Sequence, residues 1–321
     1  MTDAAVDRPR LDAARLRRWL PVYGVYVALV ALFAFNAVFT ERFLLWENVR
    51  IQLVQVAPVV IVALGMAVVI GTEGIDLSVG SVMALAAAIV PIYLGYGAAP
   101  AVLMALVGGL VVGLVNGGLV AYVGMQPIVA TLALLVAGRG VALVLSGGQL
   151  KEIRNPDLIA LGSTDLAGLP VSVWLAVALT VVIGFLVRRT VFGRRLVAVG
   201  GNRRAADLAG LPVRRVLIGV YVLSALLAAV AGVLAVARIQ SSDASQVGLL
   251  YELSAITAVV VGGTPLTGGR VRVLGTVAGA LLMQLVIATM IKHDLKPSIA
   301  EMVQAVIILV AVYAARERRA R

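Results

Sequence analysis

VVIVALGMAVVIGTEGIDLSVGSVMALAAAIV, running from Val59 to Val90, decides the class of this chain. Two apolar runs flank a polar break, Gly71-Thr72-Glu73-Gly74-Ile75-Asp76-Leu77-Ser78-Val79-Gly80-Ser81, whose eleven residues hold two carboxylates, three glycines and three hydroxyls. Irregular backbone at membrane depth has no water to satisfy its N–H and C=O groups, so it persists only inside protein or beside a watery cavity. A charged side chain near the bilayer centre costs roughly 2.5–3.5 kcal/mol on insertion scales and demands a partner, water or a task. Two readings fit the break: a short loop at the membrane surface, or a broken membrane segment that lines a solute path.

The rest of the chain fits a membrane setting. Its 321 residues are 61% hydrophobic and only 13% charged, with a mean hydropathy of +1.04, whereas soluble domains are nearer half apolar and a quarter charged. With no cysteine there is neither a disulfide nor a thiolate metal site, and the single histidine, His293, cannot make a multi-histidine one. No metal or cofactor is expected. The net charge of +11 sits mostly on arginines that flank apolar runs, a pattern of cytoplasmic membrane loops rather than of nucleic-acid binding. Arg8, Arg10, Arg15, Arg17 and Arg18 precede the apolar run from Trp19 to Phe39. That run is long enough to span and is followed by no small-residue cleavage site, so it reads as a retained first helix and not a signal peptide.

Ten apolar windows follow, at roughly 20–39, 51–71, 79–97, 100–120, 125–146, 171–188, 215–237, 251–264, 273–291 and 297–314. The expected fold is therefore all-α and polytopic, with about ten transmembrane helices, several shorter than the ~20 residues of a straight crossing. Residues 188–215 carry eight arginines against one acid, Asp207, and the tail 316–321 carries Arg316, Arg318, Arg319 and Arg321. Arginine excess marks the cytoplasmic side. The expected organisation is a cytoplasmic arm at 1–18, a membrane domain at 19–315 with a cytoplasmic loop at 188–215, and a cytoplasmic tail at 316–321, both termini inside. The segment from Gly147 to Pro170 then falls outside.

Within the spans, Gly108, Gly109, Gly113, Gly117 and Gly118 recur at about helical-turn spacing, which suits close helix packing, and Asn116 can hydrogen-bond across the same contact. Gln126-Pro127 breaks the chain at a short inner turn. Arg139, in an apolar helix, must meet an acid, backbone carbonyls or water, with Asp76 and Glu73 as candidate partners. A second break, Val259-Val260-Val261-Gly262-Gly263-Thr264-Pro265-Leu266-Thr267-Gly268-Gly269-Arg270, repeats the order of the first: a valine-rich run, glycine and threonine, a polar turn, then a small-residue helix. Paired broken segments point to a transporter built from internal repeats. Candidates for the solute path are Glu73, Asp76, Ser78, Asn116, Arg139 and Thr264, with helix capping as the competing role for Asp76.

Inside the arginine loop, Asn202 can cap a helix start, Gly210 can end one, and Pro212 prevents continuation. Ala205, Leu208 and Ala209 fall at i, i+3 and i+4, a small apolar face about two turns long. It reads either as an amphipathic connector at the lipid surface or as a coupling helix for a groove on a cytoplasmic protein. In the second reading the contacts come from Gly201, Asn202, Arg203, Ala205, Ala206, Leu208, Ala209 and Gly210.

GIDLSVGS resembles the signature of the permease subunits of ribose-type ATP-binding-cassette (ABC) sugar importers, the second class of bacterial carbohydrate-uptake systems. GGNRRAADLAGLPVRR with YVLSALLAAVAGVLAVAR resembles their cytoplasmic loop and next helix, and YELSAITAVVVGGTPLTGGR with VLGTVAGALL their later glycine-rich segment. The likeness runs from about residue 45 to residue 290 in family order, and AGRGVALVLSGGQ with 237–263 looks most like the galactofuranose-permease branch. Departures are Glu73, where glycine is usual, and Val271-Arg272, where Gly-Ser usually follows GGR. The resemblance implies passage of a pentose or hexose, in furanose form on that branch, across the bacterial inner membrane. It also implies separate ATPase subunits, a second permease subunit, alike or related, and an extracytoplasmic sugar-binding protein.

No nucleotide-binding loop is present: the three lysines, Lys151, Lys292 and Lys296, are followed by Glu, His and Pro, not by the Ser or Thr of a phosphate-binding loop. No nucleophile–base pair suggests catalysis. The alternatives to an ATP-driven sugar permease are an ion-coupled secondary transporter using Glu73, Asp76 and Arg139 as a relay, and a related importer permease for amino acids.

Overall fold

The computed structural model describes residues 13–295 and positions 298, 299, 302, 303, 305–307 and 309, with side chains from Tyr23 onward. The chain is an all-α polytopic membrane protein. In order, its helices are α1 (Ala13–Phe39), α2 (Trp46–Ile70), α3 (Val79–Tyr93), α4 (Ala98–Gly118), α5 (Pro127–Ser146), α6 (Pro156–Ser163), α7 (Val171–Arg189), α8 (Val191–Gly201), α9 (Arg203–Leu208), α10 (Val213–Ile239), α11 (Tyr251–Val261) and α12 (Val273–Lys292). Among the described residues, seven segments are long and apolar enough to cross a membrane: α2, α3 with its 3-10 turn, α4 with the π turn after it, α5, α7, α10 and α12. Nine of the ten apolar windows coincide with helices, α1 and α11 included. The tenth, 297–314, falls largely outside the described residues, as do the tail 316–321 and most of the arm.

α2 and α10 form the centre and pack on each other. α3 and α4 lie against α10, and α5 lies against α3; α11 and α12 lie against α2, with α1 outside α12 and α7 against α2. Membrane helices gain little from water release when they associate, so close packing must hold them. The α4 glycines supply it. A Cβ at Gly109 would meet Ala229 at 2.8 Å, one at Gly113 the Cα of Val222 at 2.6 Å, and one at Gly117 the Cα of Ile218 at 2.8 Å. Spaced four apart, these three let the α4 backbone lie directly on α10; Gly108 instead faces Ile89 of α3, and Gly118 faces open space.

The two ends of the bundle differ. At one end, β1 (Lys151–Glu152) pairs with β4 (Ser241–Ser242), and Gly162 of α6 touches the backbone of Ala237 and Arg238 at the end of α10. α6 was not foreseen in 147–170; Asn155 starts it by accepting from the Leu158 amide. A second two-residue pair, β2 (Asp165–Leu166) with β3 (Leu169–Pro170), lies in the same segment. At the other end sit α8, α9 and both polar breaks.

Candidate functional site

The first break is a broken membrane segment, not a surface loop. α3 begins inside the bundle, with Asp76, Ser78 and Ser81 all buried. Asp76 Oδ2 accepts from Ser224 Oγ at 2.8 Å. Ser224 lies eleven residues into α10, about 16 Å from that helix's start at 1.5 Å per residue. Asp76 Oδ1 accepts from the Ser78 amide at 3.0 Å and from Ser78 Oγ at 2.6 Å, an Asx turn that sets the chain on its way into α3. Asn116 of α4 donates to Ser78 Oγ at 2.8 Å, and Ser81 Oγ bonds the carbonyls of Ser78 and of Leu134 in α5. One four-residue network thus fastens α3 to α4 and α10. Two polar atoms beside it, Asn116 Oδ1 and Tyr221 Oη, are buried without a partner. Tyr221 stands against Gly74.

The two breaks share one helix ending. After α2, the Glu73 amide bonds Ile70 O and the Gly74 amide bonds Val69 O; after α11, the Gly263 amide bonds Val260 O and the Thr264 amide bonds Val259 O. Both are Schellman closures, which put one residue in the left-handed region. That residue is Glu73 (φ 64) in the first and Gly263 (φ 83) in the second. The departure of Glu73 from glycine now has a physical meaning, since a side chain there is strained.

The breaks also meet. The Gly269 amide bonds Gly71 O at 3.0 Å, and Gly200, at the end of α8, packs on the backbone of both. Three glycines, one from each break and one from the arginine loop, form a junction in which a side chain at Gly200 would run into the backbones of the other two. α8 reaches it through an amphipathic pattern: Gly193, Leu196, Val199 and Gly200 are buried while Arg194 and Arg195 are exposed. α9 then projects outward. Asn202 caps it by accepting from the Ala205 amide at 2.9 Å, and Gly210 (φ 75) ends it. The helix is six residues long, shorter than the two turns expected, because the Leu211 amide turns back to Ala206 O. Ala206 faces inward, while Gly201, Asn202, Arg203, Ala205, Ala209 and Gly210 are exposed and Leu208 is 83% exposed.

The other expected solute-path residues lie apart from Asp76. Glu73 is exposed at the junction. Thr264 is buried and closes the second break by accepting from the Arg272 amide at 3.0 Å. Arg139 meets neither Asp76 nor Glu73: its Nη1 donates to the carbonyls of Ala244, Ser245 and Val247, and the acid in electrostatic reach is Glu252. The reason is position, since Arg139 is twelve residues into α5 and so lies toward the end of the bundle that carries the 240–250 loop. The sequence reading missed Ser224 and Tyr221. Both looked like ordinary residues of an apolar helix, and only the entry of α3 into the bundle gives them a role.

Residues 48–312 match the family described as branched-chain amino acid transport system / permease component. The chain belongs to this permease family. It is 44% identical over 264 residues to the galactofuranose transporter permease protein YtfT of Escherichia coli K12, covering 82% of this chain and 77% of that protein. It is 37% identical to the fructose import permease protein FruF of Bifidobacterium longum, covering 78% and 72%. The ribose import permease protein RbsC of Haemophilus influenzae is 35% identical over 312 residues, 94% of each chain. No solved structure matches. The resemblance to permeases of ABC sugar importers, with a galactofuranose permease among the relatives, therefore holds over most of the chain. A permease component carries solute and is not itself an enzyme.

Proposed function

We propose that this chain is the membrane subunit of an ATP-driven importer that passes a monosaccharide into the cytoplasm, with ATP hydrolysed by separate subunits. The observation that carries the reading is the exposed, capped α9 joined through α8 to the glycine junction of both breaks. A helix that presents Leu208 to solvent between arginines has the form of a docking element. Gly200 lies three residues before the start of α9 and packs with no slack on the backbones of Gly71 and Gly269. Movement of α9 on an ATPase would shift both breaks together. The arginine loop and both termini then face the cytoplasm of a bacterial inner membrane, and the 147–170 and 240–250 segments face a sugar-binding protein outside. A second permease subunit completes the pathway. The family description names amino acids, but the relatives named above are sugar permeases, which makes a pentose or hexose the favoured cargo.

In this reading Asp76 acts chiefly as the organiser of α3. Both its oxygens are engaged by Ser78 and Ser224, and no cation among the described residues joins it to make an ion relay. Copurification tests the proposal. The wild-type chain retains its ATPase through detergent extraction, and Leu208→Asp or Gly210→Pro lowers retention by about 30-fold, the scale of an interface anchor worth ~2 kcal/mol. Retention and ATP hydrolysis at wild-type levels in both variants would remove α9 from the interface.

A further inference from the structure

Polar side chains also gather at the bundle end opposite the junction, on an open face of the central helix. Gln284 of α12 donates its amide hydrogens to Gln52 and Gln55 of α2, each at 2.8 Å. Lys292 reaches Asn48 at 3.4 Å, so the two helix ends are level. Gln55 is nine residues into α2 and Gln284 eight from the end of α12, which places the cluster about 12–14 Å below those ends. Gln55 is nevertheless exposed, and Gln52 and Gln284 are partly so. Beside them lies a cavity of about 200 Å³ walled by Arg50, Ile51, Val54, Gln55 and Arg238, where Arg238 Nε is buried without a partner.

Lipid is a poor cover for this face. Each unsatisfied amide costs roughly 1–3 kcal/mol in apolar surroundings. The Gln284 bonds leave the NH2 groups of Gln52 and Gln55 and the oxygen of Gln284 without partners among the described residues. Water or a polar solute satisfies them. The free groups include donors and an acceptor, which suits hydroxyls, since each hydroxyl both donates and accepts. Asp165 already holds Arg50 through two hydrogen bonds, and the aliphatic walls Ile51 and Val54 suit the C–H face of a sugar ring. The volume is below the roughly 300–1,000 Å³ of drug-sized sites, as a single monosaccharide requires.

From this geometry we infer that the groove between the outer half of α2, the end of α10 and α12 is the outward mouth of the solute path. There Gln55 and Arg238, which wall the cavity, hydrogen-bond a neutral, polyhydroxylated monosaccharide, with Gln284 holding Gln55 from the α12 side. This rests on the import reading above and assigns it a place distinct from the Asp76 network.

The native chain has no cysteine, so single cysteines report water access. Ile51→Cys and Gln55→Cys, with Val111→Cys and Val181→Cys as exposed apolar controls on α4 and α7, are treated in sealed, oriented vesicles with a charged thiol reagent, with and without a mixture of D-ribose, L-arabinose, D-fructose and D-galactose. The groove cysteines should react at least about tenfold faster than the controls, because the reagent needs water and a thiolate, and the sugars should slow them. Reaction as slow as the controls would overturn the inference and point to cover by lipid or a second subunit. Fast reaction without sugar protection would overturn the sugar site and leave a watery groove. Ile51→Cys lies outside the glutamine cluster, so a folding defect of Gln55→Cys does not silence the test. Labelling needs no ATP. A chain that imports a sugar without protecting either cysteine refutes this inference alone, and one that imports none in any ATPase complex refutes the import reading.

Discussion

Gly200→Ala is the sharpest perturbation the junction offers. The added Cβ would meet the carbonyl oxygen of Gly71, the Gly269 nitrogen at 2.7 Å and the Gly71 carbonyl carbon at 2.9 Å. All three are backbone atoms, so no side chain can swing away. Forcing an extra carbon into such a contact costs about 1–3 kcal/mol, and losing the Gly269–Gly71 hydrogen bond adds about 1 kcal/mol. The neighbouring position is the control: a Cβ at Gly201 meets nothing within 4 Å. Thermal unfolding of the isolated permease in mild detergent reads the difference. Gly200→Ala should be about 2–4 kcal/mol less stable, lowering the midpoint by at least ~4 °C, with Gly201→Ala within ~0.5 kcal/mol of wild type. Equal midpoints for the two variants would refute the three-backbone junction and with it the proposed route from α9 to the breaks.

Glu73→Gly should relieve left-handed strain of about 1–3 kcal/mol against a chain-entropy cost of about 0.5–1 kcal/mol. It should raise the unfolding midpoint slightly and leave uptake unchanged. Asp76→Ala strands the Ser78 amide and the Ser224 hydroxyl and should cost about 1–3 kcal/mol per unsatisfied group, seen as lower folded yield, whereas Asp76→Asn keeps an accepting oxygen and should transport nearly normally per assembled complex. Loss of uptake in an assembled Asn variant would return Asp76 to the solute path. Cysteines replacing Thr164 and Arg204 should label from opposite sides of the membrane, and labelling from one side would overturn the assigned orientation.

Much of this fold is legible because hydrophobic length is a strong signal: nine apolar windows became helices, and both glycine-rich breaks interrupt spans. The cap of α9 was legible too, since Asn202 and Gly210 act through their own local backbone. The grouping of the polar residues was not. Asp76, Arg139 and Thr264 look alike as polar positions in apolar surroundings, yet they find partners 148, 105 and 8 residues away, in α10, the 240–250 loop and the turn before α12. Sequence spacing carries no information on which carbonyl an intramembrane arginine finds. The glycine junction was hidden for the same reason: Gly71, Gly200 and Gly269 each looked like local turn formers, and only their meeting shows why Gly200 lacks a side chain.

Uptake into proteoliposomes tests the central reading most directly. The chain is reconstituted with its ATPase subunits so that the face carrying α9 lines the vesicle interior, with ATP enclosed and the sugar-binding protein outside, and accumulation of a labelled pentose or hexose is followed. An ATP-driven sugar permease gives uptake that requires ATP on the α9 side, is lost with Leu208→Asp, and is indifferent to proton or sodium gradients. Uptake by the permease alone, driven by an ion gradient and unaffected by ATP, would contradict it and establish a secondary transporter instead.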